Sequence, residues 1–238
     1  MMVVKVCGMR EPENIEQVAE LGVDMMGFIF YPKSPRYVSQ TVNRSDSDRK
    51  VCRVGVFVND SIPDMVDRIH SFSLNAVQLH GGESREVCEQ LREANGEIKI
   101  IKAISVSDAG DIQKYKEYVG AVDYFLFDTK CKTVGGSGQQ FDWQVLDEYD
   151  GDVQFLLSGG IGPEDVSRVR SFHHTKCVGI DLNSRFEIEP GVKDVEKLRK
   201  FLLKVTMFAN ANAMTTVGRR SLEALRLQPL GKPPQCFS

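Results

Sequence analysis

From residue 3 to about residue 205 the chain repeats one pattern: a short, almost continuous apolar run, then a longer segment with apolar residues at helical spacing. Eight runs qualify as strands, at 3–7, 25–30, 51–57, 76–79, 98–104, 122–127, 154–157 and 177–182. Runs that are apolar at nearly every position suit parallel strands, which are covered by helices outside and packed inside. Between them, Ile62, Met65, Val66 and Ile69 share one helical face behind Ser61, a natural N-cap. Val195, Leu198, Leu202 and Val205 make a similar stripe in the last helix, and 83–94 and 164–169 also read as helices. In 40–50, Asn, Ser and Asp crowd the segment and only Val42 is clearly apolar, which predicts a short or irregular element.

Eight βα units in about 205 residues predict an α/β fold, a single (β/α)8 TIM barrel with a parallel eight-stranded core. The rival, an open doubly wound sheet, wants GxGxxG in its first βα turn, and Cys7-Gly8-Met9-Arg10 does not supply it. The barrel domain is expected over 1–205. Residues 206–238 fall outside the repeat, with Asn-Ala repeats and a Pro-rich end, and predict a disordered or loosely docked extension.

Composition narrows the function classes. With 42% hydrophobic and 26% charged residues the chain can bury a large core, and disorder does not fit. A net charge of -3 without a basic stripe gives no field for nucleic acid or an anionic membrane. The six cysteines form no CxxC pair and the four histidines no paired spacing, so no metal is expected and the thiols suit a reducing compartment. No apolar run is long enough to span a bilayer and no leader pattern is evident, which favours a cytoplasmic protein.

In a barrel of this kind the chemistry sits at the carboxyl ends of the strands, so the residues there are the candidates. Cys7 ends the first strand, as a buried apolar residue or as a thiolate base. Asp128 ends the sixth, ahead of Gly135-Gly136-Ser137-Gly138: an acid or base beneath a lid loop, or a turn cap before a flexible connection. Ser158-Gly159-Gly160 and Asp181-Leu182-Asn183-Ser184 end strands seven and eight, where many barrels hold phosphate on backbone N–H groups; ligand-free tight turns are the alternative. Arg36 sits in a proline-stiffened loop, Tyr31-Pro32-Lys33-Ser34-Pro35-Arg36-Tyr37, suited to a carboxylate or phosphate unless it is a solvated basic turn. His80 ends strand four and is a substrate donor or an ordinary strand-end histidine; His173 and His174 are expected to face solvent.

In order along the chain, Lys5-Val6-Cys7-Gly8-Met9, Gly27-Phe28-Ile29-Phe30-Tyr31-Pro32-Lys33-Ser34-Pro35-Arg36-Tyr37-Val38, Val54-Gly55-Val56-Phe57-Val58-Asn59 and Val77-Gln78-Leu79-His80-Gly81 form one series. It continues through Gly135-Gly136-Ser137-Gly138 with Phe141-Asp142-Trp143, Ser158-Gly159-Gly160-Ile161, and Asp181-Leu182-Asn183-Ser184 with Pro190-Gly191-Val192-Lys193-Asp194. The series resembles the phosphoribosylanthranilate isomerases of tryptophan biosynthesis over nearly all of residues 3 to 204. The resemblance implies an Amadori rearrangement of a phosphorylated sugar by a monomer or homodimer without cofactor or metal. By the same resemblance Cys7 is the general base, Asp128 the general acid, Arg36 the holder of the anthranilate carboxylate and Gly159, Gly160, Asn183 and Ser184 the phosphate site. His80 and Asp181 would line the sugar. The chain departs from the pattern at Arg185, where many relatives have glycine, and after Val205. A dual histidine and tryptophan isomerase would end strand one in aspartate, which Cys7 disfavours. A catalytically silent barrel would not need both acid and base.

Overall fold

The computed structural model describes residues 2–40, 42, 50–129 and 142–206. Its strands β1 (Val3–Cys7), β2 (Met25–Ile29), β3 (Cys52–Phe57), β4 (Ala76–Leu79), β5 (Lys99–Val106), β6 (Tyr124–Thr129), β7 (Phe155–Ser158) and β8 (Cys177–Leu182) pair in sequence order. Parallel pairing of β8 with β1 closes the barrel. The eight expected strands are therefore all present, with ends displaced by up to two residues. The displacement that matters is in β6, which runs two residues further than expected and holds Asp128 within the strand.

Side chains alternate between two interiors. Val4, Val6, Phe28, Phe57, Leu79, Phe125 and Leu182 point outward into the layer beneath the helices. Met25, Cys52, Val54, Ala76, Ile101, Ala103, Leu126 and Leu156 fill the barrel itself. At about 25 cal/mol per Å2 of buried apolar surface, these two layers supply most of the driving force for closure.

The outer helices are α1 (Pro12–Ala19), α2 (Ile62–Phe72), α3 (Arg85–Ala94), α4 (Ala109–Ile112), α5 (Val166–Ser171) and α6 (Val195–Thr206). Ser61 caps α2 as its sequence suggests, with Ser61 Oγ accepting from Asp64 N at 3.3 Å, while Met65, Ile69 and Phe72 are buried. Two other connections carry 3-10 turns: Trp143–Glu148 ahead of β7, and Pro163–Asp165 ahead of α5. The helix expected from residue 83 starts at Arg85 instead. Glu83 turns inward, pairing with buried Lys102 at 3.0 Å and accepting from Asn59 N and Gly81 N, a tertiary demand that overrides its helix propensity. His174, expected to face solvent, is half-buried against Tyr149 and Phe155; His173 is exposed.

After β8 comes a small antiparallel hairpin that the sequence pattern does not reveal, β9 (Glu187–Glu189) and β10 (Val192–Lys193). The expected lid residues Gly135, Gly136, Ser137 and Gly138 lie outside the described residues, as do most of 40–50 and all of 207–238. Among the described residues no helix is long and apolar enough to cross a membrane.

Candidate active site

Period-two alternation along β1 turns Lys5 and Cys7 to the barrel's inner face. Cys7 fits because β2 offers Gly27 opposite it: a methyl group there would lie 2.6 Å from Cys7 Sγ. The chain then turns at Gly8, whose φ of +78° suits glycine. A side chain at Gly8 would also strike Arg36 Cδ at 2.7 Å and Asn183 Oδ1 at 2.9 Å. The stem of Arg36 thus lies over the turn that follows Cys7.

The surroundings of Cys7 are charged. Beneath it, wholly buried Lys5 donates from Nζ to Asp181 Oδ1 at 2.9 Å, and Asp181 Oδ2 accepts from Ser158 Oγ at 3.4 Å. Burial pulls the Lys5 pKa down, but Asp181 and Cys7 outweigh it, so the group titrates above an ordinary lysine and stays an ammonium. For Cys7 the balance is reversed. Burial pushes the thiol up, and the cations Lys5 and Lys193 recover only part of that shift. Nearby positive charge lowers the thiol's pKa, but desolvation wins.

Arg36 is neither solvated nor unpaired. Its Nε donates to Glu187 Oε1 at 2.8 Å and its Nη2 to Glu187 Oε2 at 2.5 Å. Glu187 also accepts from Lys193 Nζ at 2.7 Å and from Gly191 N at 3.2 Å. Burial pushes the Glu187 carboxyl up, but the bonds from Arg36 and Lys193 outweigh it and hold the group below the usual carboxylate range. Lys193 Nζ donates in turn to Asn183 Oδ1 at 2.8 Å. Asn14 fixes the Lys193 backbone from both sides, accepting from its N–H at 2.7 Å and donating to its carbonyl at 2.9 Å.

Across the mouth stand Asp128 and His80. Asp128 stands in register with Ser105 on β5 and Ser158 on β7. His80 Nε2 lies 3.6 Å from Asp128 Oδ2, an electrostatic contact rather than a hydrogen bond. Gln78 Nε2 meets His80 Nδ1 at 2.7 Å. With the amide nitrogen as donor, Nδ1 accepts and the ring proton sits on Nε2, facing Asp128. A cavity of about 280 Å3 opens beside this group, lined by His80, Lys102, Ser105, Lys114 and Tyr118 among others. A larger groove, about 770 Å3, lies off the mouth between α1 and α6. Glu11, Glu13, Asp194 and Glu196 line it, a charge pattern that repels an anionic substrate.

The expected phosphate loops differ residue by residue. Gly159 has φ +104°, and a methyl group there would lie 2.0 Å from the Thr129 carbonyl oxygen, so only glycine fits. Gly160 has φ +65°, and a methyl group there would meet nothing within 4 Å, which leaves its backbone open to approach. Ser184 is exposed at the start of the 3-10 turn Ser184–Phe186. The Asn183 side chain accepts through Oδ1 from Lys193 Nζ at 2.8 Å. Arg185 reaches across to Glu164 at 3.3 Å and ties the β8 loop to the β7 loop.

The structure brings the expected Cys7, Arg36, Asp181 and Asn183 together on one side of the mouth and His80 and Asp128 on another, while sequence reasoning missed Lys5, Glu187 and Lys193 as working parts. Lys5 had a legible signal, a charged residue at the same inward parity as Cys7 within an apolar strand. Among the described residues no three His, Cys, Asp or Glu side chains cluster as a metal site would require.

Comparison with known proteins bears on this site. Residues 4–204 match the family model for N-(5'phosphoribosyl)anthranilate (PRA) isomerase. An N-(5'-phosphoribosyl)anthranilate isomerase of Parabacteroides distasonis is 47% identical over 208 residues, covering 86% of this chain and 93% of that one. One of Thermotoga neapolitana is 41% identical over 208 residues, covering 86% and 98%. Among solved structures, phosphoribosyl anthranilate isomerase from Thermotoga maritima aligns at a TM-score of 0.69 with 34% identity, over 87% of this chain and all of that one. A further structure, of a phosphoribosyl anthranilate isomerase in complex with reduced 1-(o-carboxyphenylamino)-1-deoxyribulose 5-phosphate, aligns at a TM-score of 0.67 with 32% identity over 87% of this chain and all of that one.

Proposed function

Because the chain belongs to the N-(5'-phosphoribosyl)anthranilate isomerase family, we propose that Cys7 and Asp128 are the base and the acid of its reaction. That reaction is the Amadori rearrangement of N-(5-phosphoribosyl)anthranilate to 1-(2-carboxyphenylamino)-1-deoxyribulose 5-phosphate in tryptophan biosynthesis. Asp128 gives its proton to the ring oxygen while the C1–O bond breaks, and the anthranilate nitrogen lone pair forms a C1=N Schiff base. The Cys7 thiolate removes the C2 proton, and the released electron pair makes the C1=C2 bond of an enolamine. Transfer of the enol proton to C1 then yields the ketone.

The observation that carries this reading is that a thiol and a carboxylate face one another's side of the mouth, from the inner faces of β1 and β6. One proton must sit on Asp128 while Cys7 lacks one, so the productive form is one of two protonation isomers of the pair. Arg36, braced by Glu187, meets the anthranilate carboxylate, and the open backbone at Gly160 with Ser184 meets the phosphate, next to the Gly159 turn. His80 and Asp181 flank the sugar. All these side chains come from one barrel, so the reading serves a monomer and a homodimer alike.

Loss of anthranilate fluorescence on adding substrate to the purified protein tests the assignment. Turnover by the wild type, lost in Cys7→Ser and in Asp128→Asn, is the expected result. Tight binding without turnover by the wild type would sink it.

A further inference from the structure

Among the described residues the barrel interior is largely apolar, but besides Gln78 it holds an ion pair beneath the mouth, Lys5 with Asp181, both at most 7% exposed. Replacing such a buried pair with apolar side chains is often neutral or stabilising, so stability alone does not account for it. Its position does. Lys5 and Cys7 project from the same face of β1, two residues apart, and Gly27 leaves the sulfur seated against the strand. Asp181 Oδ1 takes one of the three ammonium N–H groups at 2.9 Å.

We propose that Lys5 is a positioning residue for the isomerase reaction: held by Asp181, its ammonium stabilises the Cys7 thiolate from the barrel floor when the C2 proton is to be removed. Four charged groups face the sulfur: Lys5 from β1, Asp181 from β8, Lys193 from β10 and Arg36 from the loop after β2. Lys193 and Arg36 are both shared with Glu187, which offsets their charge. Lys5 is the strongest of the four influences on the thiol, ahead of Asp181, which opposes it. This inference rests on Cys7 being the base.

The test is the pH dependence of kcat/KM, with the thiolate absorbance at Cys7 taken as the difference between each protein and its Cys7→Ser counterpart. In Lys5→Met the acid-side midpoint and the absorbance midpoint both move up by about 1–3 pH units, the usual influence of a nearby opposite charge. Lys5→Arg restores the midpoint. Lys5→Met/Asp181→Asn leaves no unpaired buried carboxylate and keeps the test valid if Lys5→Met does not fold; because Asp181 opposes Lys5, its midpoint is compared with that of Asp181→Asn alone and is expected to lie above it. A double-variant midpoint no higher than that of Asp181→Asn, with only lower amplitude, would overturn the role of Lys5. Cys7→Ser retaining turnover would instead overturn the base assignment itself, so the two failures are distinguishable.

Discussion

The two sides of the barrel mouth are built on different principles. Around Cys7 every charged group is clamped: Arg36 and Lys193 to Glu187, Lys193 to Asn183, Lys5 to Asp181. Around Asp128 the neighbouring charged group is His80, 3.6 Å away and with its side chain 31% exposed. The difference follows from what each proton transfer needs. A buried thiol forms a thiolate more readily where fixed charge recovers part of the desolvation cost, and fixed charge requires a rigid network. An acid that meets a ring oxygen needs access to the substrate.

Substitutions that separate the two sides should therefore give opposite signatures. The largest effect expected is on the open side: Asp128→Asn lowers kcat by about 10²–10⁴-fold, read by steady-state kinetics. On the clamped side, Glu187→Gln leaves two cations without their counter-charge and costs about 2–3 kcal/mol of folding stability in urea titration. The sign of its pH dependence follows from the depressed Glu187 pKa. The contribution is complete above the unfolded carboxylate value of about 4.3 and fades as pH falls through the lower folded value. Wild type and Glu187→Gln should thus converge in acid; a constant gap down to pH ~2 would break the comparison. Next comes Arg36→Met, expected to raise KM by about 10–100-fold with less effect on kcat, as loss of a charged hydrogen bond to substrate would. His80→Ala should have the smallest effect, on the order of tenfold or less in kcat/KM, because its ring is only loosely coupled to Asp128. A loss as large as that of Asp128→Asn would show the open side to be as tightly built as the other.

How far the sequence reveals this asymmetry depends on the range of the interactions. Strand periodicity locates Cys7 and Asp128 because each sits at the end of its own apolar run, and glycine marks the β7 turn because its backbone admits nothing else. The clamp is not local. Arg36 and Glu187 are 151 residues apart, and Lys5 and Asp181 are 176 apart, so no window around either member shows the other. Glu187 lies on a three-residue strand too short for periodicity to mark, and its neighbour Ile188 is exposed. Glu83 shows the same limit from the other direction: its helix propensity is genuine, but Lys102 on β5 recruits it.

The most direct measurement is single-turnover kinetics on wild type, Cys7→Ser, Asp128→Asn and the double variant, with enzyme in excess over substrate. If the thiol and the carboxylate are successive partners in one reaction, each single variant loses at least about 10²-fold, and the double falls little below the worse single. A Cys7→Ser protein that turns over within about tenfold of wild type would contradict the account.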